Sequence, residues 1–337
     1  MTKKIRWGVL GAAKIAVTKV IPAMQQGTYS EISAIASRDL EKARQTAQNL
    51  KIPKFYGSYE ELLADAEIDA VYNPLPNNLH VPWTIKAAEA GKHVLCEKPI
   101  ALTAEEARKL IETRDRAGVK IQEAFMVQTH PQWLAVRDFI RAGNIGNLQA
   151  INGFFSYFNN DSTNIRNQIE TGGGALLDIG CYCINISRFI IGEEPRKVSA
   201  LIERDALSTI DKLTSAMLEF PCCQSTFTCS TQLVPYQRMQ FFGTSGRIEV
   251  EIPFNITIDQ PTRIFVDDGA SLFGGTIETI EVPAANQYTV QGDLFSRAIL
   301  ENSEQAIALE DSVKNVSVIE AVFRAAESGN WEIPKSF

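Results

Sequence analysis

The first part of the chain alternates short apolar runs with segments of helical periodicity, and this alternation limits the folds that it can adopt. Short apolar runs bounded by turn residues are typical of buried parallel strands. The intervening helices include two with capping boxes, Ser58-Tyr-Glu-Glu61 and Thr103-Ala-Glu-Glu106. The predicted strands are Ile5–Leu10, Ile32–Ala36, Ile68–Tyr72, His93–Cys96 and Val119–Gln122. Strands that alternate with helices predict an α/β fold with a parallel, doubly wound sheet.

One of these strands ends directly in an acid, a base and a proline. The run His93–Cys96 continues as Glu97-Lys98-Pro99. Proline has no N–H to prolong the strand, so Lys98 is expected at the carboxyl end of a central strand. In open α/β sheets that edge is where ligands bind. For such a tripeptide taken alone, the alternative is a surface lysine in an ordinary loop.

The first predicted strand runs into a turn with the features of a dinucleotide-binding site. In such a turn a tight glycine bend aims the N-terminus of a helix at a pyrophosphate. Alanines replace the second and third glycines of the usual fingerprint, so a plain strand-to-helix turn remains the alternative. The residues of the turn are Gly11, Ala12, Ala13, Lys14, Ile15 and Ala16, and a helical pattern follows through Met24.

The residues after the second predicted strand indicate which dinucleotide is bound. Ser37 and Arg38 follow this strand directly, at the distance from the turn where such folds meet the adenine ribose. A hydroxyl and a guanidinium suit a 2′-phosphate, because arginine offers a charged pair of hydrogen bonds. This favours NADP as the cofactor, with NAD as the second choice. The alternatives are that Arg38 stacks on the adenine or points to solvent, and Asp39 fits the start of a helix over Leu40–Leu50.

A rigid loop follows the third predicted strand. Two prolines in Asn73-Pro-Leu-Pro-Asn-Asn78 favour an extended backbone. We expect this loop, with Pro74, Leu75 and Asn77, to line the nicotinamide side of a cleft. His80 begins the next helix, where a histidine more often caps or packs than catalyses.

After Glu123-Ala-Phe-Met126 the pattern changes, which predicts a boundary near residue 123. Residues 1–123 would bind the cofactor, and residues 124–337 would bind the substrate. A helix is predicted over Gln132–Ala142, and late helical segments over Glu304–Glu327. The predicted strands are Leu148–Phe158, Lys197–Arg204, Thr214–Phe220, Ser225–Ser230, Arg238–Gly243, Arg247–Ile252 and Asn255–Ile258. This pattern predicts an α+β domain with a large, mostly antiparallel sheet.

A glycine-rich segment, Thr171-Gly-Gly-Gly-Ala175, interrupts the β pattern and leads into a helix. Consecutive glycines cost backbone entropy and indicate a special requirement, such as the close approach of a ligand. On the helix, Asp178 and Tyr182 are spaced to lie on one face. The alternative is a structural Asp–Tyr pair.

Composition excludes several other functions. A net charge of −7 without a dense Lys/Arg stripe argues against nucleic-acid binding. The sequence has neither an apolar run of membrane-spanning length nor a signal peptide, so we expect a cytoplasmic protein without membrane contact. The six cysteines lack C-x-x-C spacing and neighbouring histidines, so no metal site is expected.

Together these motifs resemble the Gfo/Idh/MocA family, named after glucose–fructose oxidoreductase and inositol dehydrogenase. The resemblance implies a Rossmann domain, a substrate domain whose open sheet forms a homodimer or homotetramer, and NAD(P)-dependent chemistry on CH–OH groups of sugars or polyols. Tyr182 stands where many members have histidine, which resembles the branch with dimeric dihydrodiol dehydrogenase and aldose or xylose dehydrogenases. Gln128 stands where that branch often has arginine. The motifs in family order are Gly11–Ala16, Ser37-Arg38, Pro74–Asn77 with His80, Glu97-Lys98-Pro99, His130-Pro131, Arg166, Gly172–Gly174, and Asp178 with Tyr182.

The resemblance also implies roles for individual residues. Oxidation of a carbinol needs a hydride acceptor, supplied by nicotinamide, and a base for the hydroxyl proton. Tyr182 is the candidate base, and the ammonium of Lys98 would favour its phenolate. Asp178 would accept a neighbouring sugar hydroxyl, His130 and Arg166 would line the pocket, and Glu97 and His80 would join the cofactor site. The sequence leaves open whether Lys98 or Tyr182 transfers the proton.

Two other functions remain open at this point. The first is a sensor that binds NADP and a sugar without turnover. The second is an oxidoreductase of the glucose–fructose type, in which one NADP that never dissociates shuttles hydride between two sugars.

Overall fold

The computed structural model describes residues 3–336. Its contacts divide the chain into two compact units, residues 3–126 with 286–313 and residues 127–285 with 314–336. Each unit is built around one sheet. The predicted division at residue 123, into a cofactor domain and a substrate domain, stays a prediction.

The first unit contains, among the described residues, a six-stranded sheet whose neighbouring strands are parallel. Its strands are β1 (Ile5–Leu10), β2 (Ser30–Ala36), β3 (Lys54–Tyr56), β4 (Ala70–Asn73), β5 (His93–Cys96) and β6 (Ile121–Glu123). Their order is β3-β2-β1-β4-β5-β6, so the winding reverses between β1 and β4. Ligands bind beside such a reversal, at the carboxyl ends of the strands. The predicted parallel, doubly wound sheet is confirmed.

The helices begin where the capping signals predict. Ser58 Oγ accepts from the Glu61 N–H over 3.2 Å, and Thr103 Oγ1 accepts from the Glu106 N–H over 3.2 Å. The helices are α1 (Ile21–Met24), α2 (Leu40–Leu50), α3 (Tyr59–Ala64), α4 (His80–Glu89), α5 (Ala104–Ala117), α6 (Pro131–Arg141), α7 (Cys181–Ile191), α8 (Gln287–Leu300) and α9 (Leu309–Ser328). Two π-helical turns, Ala16–Val20 and Leu176–Gly180, lead directly into α1 and α7. Short 3₁₀ turns occupy Asn77–Leu79, Met126–Thr129, Ile165–Asn167 and Ile169–Thr171.

The second unit contains an eight-stranded sheet within the described part of the chain. Its strands are β7 (Leu148–Phe158), β8 (Lys197–Arg204), β9 (Asp211–Glu219), β10 (Gln224–Ser230), β11 (Gln232–Gly243), β12 (Arg247–Val250), β13 (Thr262–Asp267) and β14 (Glu278–Val282). Their order is β14-β13-β12-β11-β7-β10-β9-β8. The pair β7–β10 is parallel and the other neighbours between residues 148 and 282 are antiparallel, so the predicted mostly antiparallel sheet is confirmed.

The two faces of this second sheet differ in what covers them. Side chains on one face, among them Phe227 and Phe241, are buried, and α7 packs against this face. The opposite face presents the row Leu201, Ser215 and Thr228, whose residues pair across β8, β9 and β10. Leu201 is 80% exposed on this face. One face of the sheet is therefore core, and the other is open in the monomer.

Several elements differ from the predicted ones. Residues 255–258 form turns and bends, so the strand predicted at Asn255–Ile258 is wrong. The predictions also lack β3, β13, β14 and α8. β3 is only three residues long, which gives too few positions for an alternation to be recognised.

One segment, Ile169–Ile191, is long and apolar enough to span a membrane by length and composition, and 83% of its most apolar window is buried inside the protein. Cys181, Ile184 and Ile186 on α7 are buried. The segment is therefore a core element, and the cytoplasmic location stays a prediction.

Candidate active site

The turn after β1 has the backbone geometry that a dinucleotide site requires. Gly11 has a φ of +90°, a conformation that favours glycine, and the helical segment begins at Lys14. The first N–H groups of a helix have no intrahelical acceptors, so those after Gly11 can receive a phosphate. A Cβ on Gly11 would lie 3.1 Å from Leu75 Cδ2 and 3.5 Å from the Tyr59 hydroxyl. The turn therefore fits a pyrophosphate and adjoins the loop after β4.

At the end of β2 the three candidate residues have distinct surroundings. Ser37 is buried, and its Oγ accepts from the Asp39 N–H over 3.2 Å. Asp39 caps α2, with its carboxylate accepting from the Lys42 N–H over 3.0 Å. Arg38 is exposed, and its guanidinium hydrogen-bonds to the hydroxyl of Tyr59, whose pKa is raised because burial outweighs that contact. The Asp39 carboxylate thus hydrogen-bonds to the backbone of α2, while the Arg38 guanidinium is exposed beside the turn after β1.

Lys98 lies where the sequence places it, beyond the carboxyl end of β5. The Glu97 N–H donates to the Asn73 carbonyl over 3.0 Å, which continues the pairing of β5 with β4. The Lys98–Pro99 peptide bond is cis. Tyr72 on β4 donates to Glu97 Oε1 over 2.6 Å, and burial raises the pKa of this phenol well above its usual value. Glu97 is therefore held by a buried donor beneath the edge where ligands bind.

His80 is buried, and both of its ring nitrogens face backbone oxygens. Nδ1 lies 2.7 Å from the Pro99 carbonyl oxygen, and Nε2 lies 2.7 Å from that of Leu75. Burial, with a contribution from the charge of Lys98, lowers the pKa of His80 to about 4. The ring is therefore neutral near pH 7 and donates to one of the two oxygens. Pro74 is buried, Leu75 is 7% exposed and Asn77 is partly exposed, in the loop that His80 contacts.

In the second unit, Asp178 is the centre of a polar cluster. Its Oδ2 accepts from the Tyr157 hydroxyl over 2.6 Å and from Arg166 Nε over 3.0 Å. The pKa of Arg166 is raised, first by the charge of Asp178, with smaller contributions from Tyr157 and Tyr182. The guanidinium is therefore within electrostatic reach of the carboxylate and both phenols. Asp178 can act as an acceptor for a hydroxyl group of a ligand.

Tyr182 packs against a stacked pair of phenylalanines. Its ring centroid lies 6.0 Å from that of Phe155 and 5.4 Å from that of Phe254. Phe155 and Phe254 are themselves stacked at 4.7 Å. Tyr182 is 6% exposed, so aromatic contacts fix the direction of its ring.

The glycine-rich segment owes its composition to close packing within the second unit. A Cβ on Gly173 would lie 2.5 Å from the Arg166 carbonyl oxygen. Gly174 has a φ of +119°, and a Cβ there would lie 1.9 Å from Asp211 Oδ1. Asp211 Oδ2 accepts from the Leu176 N–H over 2.6 Å, and burial raises the pKa of Asp211 to about 6. The glycines thus let Asp211 and the Arg166 segment meet the π-helical turn that carries Asp178.

The remaining candidate, His130, caps α6. Its Nδ1 accepts from the Gln132 N–H over 3.1 Å, and its Nε2 lies 3.2 Å from the Ala285 carbonyl oxygen. Burial lowers its pKa. Nearby in sequence, Gln128 Nε2 donates to Asn185 Oδ1 over 2.9 Å. His130 as a wall of the substrate pocket stays a prediction.

The candidates thus form two groups, one in each unit. The first unit contains the candidate cofactor residues: the turn after β1, Ser37, Arg38, the loop after β4, His80, Glu97 and Lys98. The second unit contains His130, Arg166, Asp178 and Tyr182. Sequence reasoning missed Tyr59, Tyr157 and Asp211. Tyr59 directly follows the predicted cap Ser58, and Tyr157 lies near the end of a predicted strand. Their positions at the ends of predicted elements were the signal that could have identified both tyrosines. The sequence carries no signal that would have paired Asp211 with Gly174.

Comparisons with known proteins cover nearly the whole chain. A model of the oxidoreductase family with an NAD-binding Rossmann fold, GFO_IDH_MocA, matches residues 5–125, and the GFO/IDH/MocA C-terminal domain matches residues 133–249. An uncharacterized oxidoreductase of Rhizobium meliloti is 48% identical over 97% of this chain and 98% of its own. A D-xylose 1-dehydrogenase (NADP(+)) of Haloferax volcanii is 35% identical over 96% of this chain and 98% of its own. A crystal structure of a 3-ketoreductase from Actinomadura kijaniata with NADP and TDP-benzene superposes with a TM-score of 0.90 and 29% identity, covering 96% of this chain and 98% of that chain.

Proposed function

The chain belongs to the Gfo/Idh/MocA oxidoreductase family, and from this premise we propose that it transfers a hydride between the nicotinamide of NADP and a sugar or related polyol. The family expected from the motifs is confirmed, as is the branch that includes xylose dehydrogenases. The enzyme class, an NAD(P)-dependent oxidoreductase, and the use of a nicotinamide dinucleotide are confirmed with it.

The preference for NADP rests on the end of β2. An enzyme that selects NAD commonly places an acid there to accept from the ribose 2′-hydroxyl. Here Asp39 accepts from the backbone of α2 instead, and Arg38 is exposed beside the turn. A guanidinium in that place favours a 2′-phosphate. The NADP named for the xylose dehydrogenase and bound to the ketoreductase supports the same preference.

The observation that carries the proposed chemistry is the cluster around Asp178. A carboxylate that accepts from both Tyr157 and Arg166 is fixed in direction. A carboxylate of this kind recognises a hydroxyl group, and a sugar offers one on the carbon next to the reacting carbinol. The sugar named for the xylose dehydrogenase supports this substrate class.

In the oxidation of a carbinol, we assign a separate role to each of three residues. Nicotinamide, when bound, supplies the hydride acceptor. We propose that Tyr182 takes the hydroxyl proton, that Lys98 holds the reacting oxygen through its ammonium, and that Asp178 orients the sugar. In reduction Tyr182 returns the proton. A positioned acid or base of this kind contributes about 10²- to 10⁴-fold to rate.

We also propose that the protein is a homodimer or homotetramer formed through the open face of the second sheet. Leu201, Met217 and Tyr236 are 80%, 41% and 49% exposed. Exposed apolar side chains on a regular sheet face are typical of an association surface. Light scattering after size exclusion should give a mass of two or more chains, reduced in Leu201→Lys; a monomeric wild-type protein would contradict this proposal.

The experiment that tests the proposed chemistry compares Tyr182→Phe and Lys98→Ala with the wild-type enzyme in turnover of the best aldose substrate. Each variant should lose about 10²-fold or more in kcat, because each removes a group that acts on the transferred proton or its oxygen. NADPH binding and the far-ultraviolet circular dichroism should be retained. Near-normal turnover in Tyr182→Phe would remove Tyr182 from proton transfer, and near-normal turnover in Lys98→Ala would show that Lys98 does not hold the reacting oxygen.

A further inference from the structure

In the first unit, the peptide after Lys98-Pro99 is held from both sides. The Pro99 carbonyl oxygen lies 2.7 Å from His80 Nδ1. The N–H of the same peptide, on Ile100, donates to Glu123 Oε1 over 2.7 Å. Side chains from two other elements, α4 and β6, therefore lie within hydrogen-bond distance of both polar groups of this peptide.

The His80 ring also reaches the loop that follows β4. Its second nitrogen lies 2.7 Å from the Leu75 carbonyl oxygen. Asn73, the last residue of β4, supports this contact, because its amide donates to the His80 carbonyl oxygen over 3.1 Å. One imidazole thus lies between the Leu75 and Pro99 carbonyl oxygens, and as a neutral ring it donates to one of them.

The side chains that make these contacts are deeply buried. His80 and Glu123 are each 1% exposed, and Ile100 is fully buried. A buried imidazole and a buried carboxylate are costly compared with apolar residues of the same volume. Where such buried groups are hydrogen-bonded, they select a single backbone arrangement more sharply than apolar packing does.

We propose that His80 and Glu123 are positioning residues for Lys98, and that they fix the backbone from which its ammonium extends toward the reacting oxygen. The inference rests on the function proposed for Lys98. Because both nitrogens of His80 face backbone oxygens, the ring acts on the reaction through the backbone that carries Lys98, with its Nδ1–H donating to the Pro99 carbonyl oxygen. We call the contacts of His80 and Glu123 with the Pro99–Ile100 peptide the clamp. A displacement of a catalytic group by about 1 Å can lower the rate about 10²-fold, so loss of the clamp should have a measurable effect.

The test is steady-state and binding analysis of His80→Leu, His80→Gln and Lys98→Ala, alone and combined. His80→Leu removes both ring contacts and should lower kcat about tenfold or more, with the Kd for NADPH within about threefold of wild type. His80→Gln keeps a donor for the Pro99 carbonyl and should recover most of the lost turnover. His80→Leu added to Lys98→Ala should lower kcat no further, since the clamp acts only through Lys98.

His93 supplies a matched control, because it lies at the start of β5, the strand that leads to Lys98. Its Nδ1 accepts from the Lys120 N–H over 2.9 Å, so His93→Leu also removes a contact between a histidine ring and the backbone. It should reduce the melting temperature while leaving kcat near the wild-type value. If His80→Leu does not fold, Glu123→Asp decides the question, because its shorter side chain no longer reaches Ile100 and should lower kcat about fivefold or more.

The outcomes separate this inference from the proposed function. Wild-type turnover in Lys98→Ala overturns the role of Lys98 and the clamp with it. Loss in Lys98→Ala with wild-type turnover in folded His80→Leu or Glu123→Asp overturns the clamp alone. A His80→Leu defect confined to NADPH affinity, or one that adds fully to that of Lys98→Ala, also overturns it.

Discussion

Tyr157 donates a 2.6 Å hydrogen bond to Asp178 Oδ2, the oxygen that also accepts from Arg166. The phenol lies on β7 and the carboxylate lies in the π-helical turn before α7, so the bond joins the sheet to the segment that carries Tyr182. π-Helical turns are frequent at functional sites. A carboxylate held at one oxygen by two donors presents a fixed acceptor to a substrate hydroxyl.

Tyr157→Phe should therefore impair recognition of the sugar and leave the nucleotide site unchanged. We expect kcat/KM for the sugar to fall about tenfold, because a hydrogen bond to a charged group is worth about 1.5–3 kcal/mol. The Kd for NADPH should be unchanged. Tyr56→Phe is the matched control, since Tyr56 donates to Asp65 over 2.7 Å in the first unit. Equal losses in the two variants would mean that Tyr157 has no particular role in substrate recognition.

Arg38→Ala should reduce the affinity for NADPH and spare NADH. The guanidinium is exposed at the end of β2, where a 2′-phosphate would accept a charged pair of hydrogen bonds. Fluorescence titration should show NADPH weakened about tenfold or more, at about 1.4 kcal/mol per factor of ten. Arg44→Ala, which removes an exposed arginine paired with Glu41, should change neither Kd. Equal binding of the two nucleotides by the wild-type protein would show that Arg38 does not read the phosphate.

Gly174→Ala should destabilise the second unit. A Cβ there would overlap the Asp211 carboxylate, and the φ of +119° disfavours any side chain. We expect the free energy of unfolding to fall by about 3 kcal/mol or more, because overlap adds to backbone strain. Gly143→Ala isolates the strain, since its φ is +79° with open space around it, and should cost only about 1 kcal/mol. Similar losses at both positions would argue against the overlap with Asp211.

The stability contributed by His80 should depend on pH. Its pKa falls from 6.5 to about 4 on folding, so the unfolded chain binds more protons in that interval. Stability from this residue is therefore fully present above about pH 6.5 and is lost as the pH falls toward 4, by about 3 kcal/mol. Unfolding curves for wild type and His80→Gln at several pH values should converge as the pH falls. A difference that stays constant from pH 7 to pH 4 would contradict a neutral, buried His80.

The fold of the first unit could be predicted from the sequence because the patterns that indicate its strands and helices are local. An apolar run, a capping serine or threonine and a terminal glycine lie within a few residues of one another, and β1, β5, α3 and α5 form where these signals predict. The three-residue strand β3 was missed because it gives no alternation to count. In the second unit α8 was missed, although Asn286 caps it by accepting from the Tyr288 N–H over 3.1 Å.

The partners of the candidate residues were beyond the sequence, because they depend on tertiary contacts. Asp178 and Tyr182 were predicted to lie on one face of a helix, with a structural Asp–Tyr pair as the alternative. The structure shows Tyr157 and Arg166 as hydrogen-bond partners of Asp178. The glycines before α7 were expected to admit a ligand. The structure shows that they admit Asp211 and the Arg166 backbone, which no local pattern specifies, and the approach of a ligand there stays a prediction.

The most direct measurement of the central claim is the change in nicotinamide absorbance when the purified protein is mixed with NADP⁺ and a panel of aldoses and polyols. We expect reduction of NADP⁺ by at least one sugar, with Lys98→Ala and Tyr182→Phe nearly inactive on that sugar. Tight NADPH binding without turnover of any sugar, in either direction and with either nucleotide, would contradict the enzyme mechanism and favour a sensor. Nucleotide released only on denaturation, with hydride exchanged between two sugars, would identify a cofactor that does not dissociate.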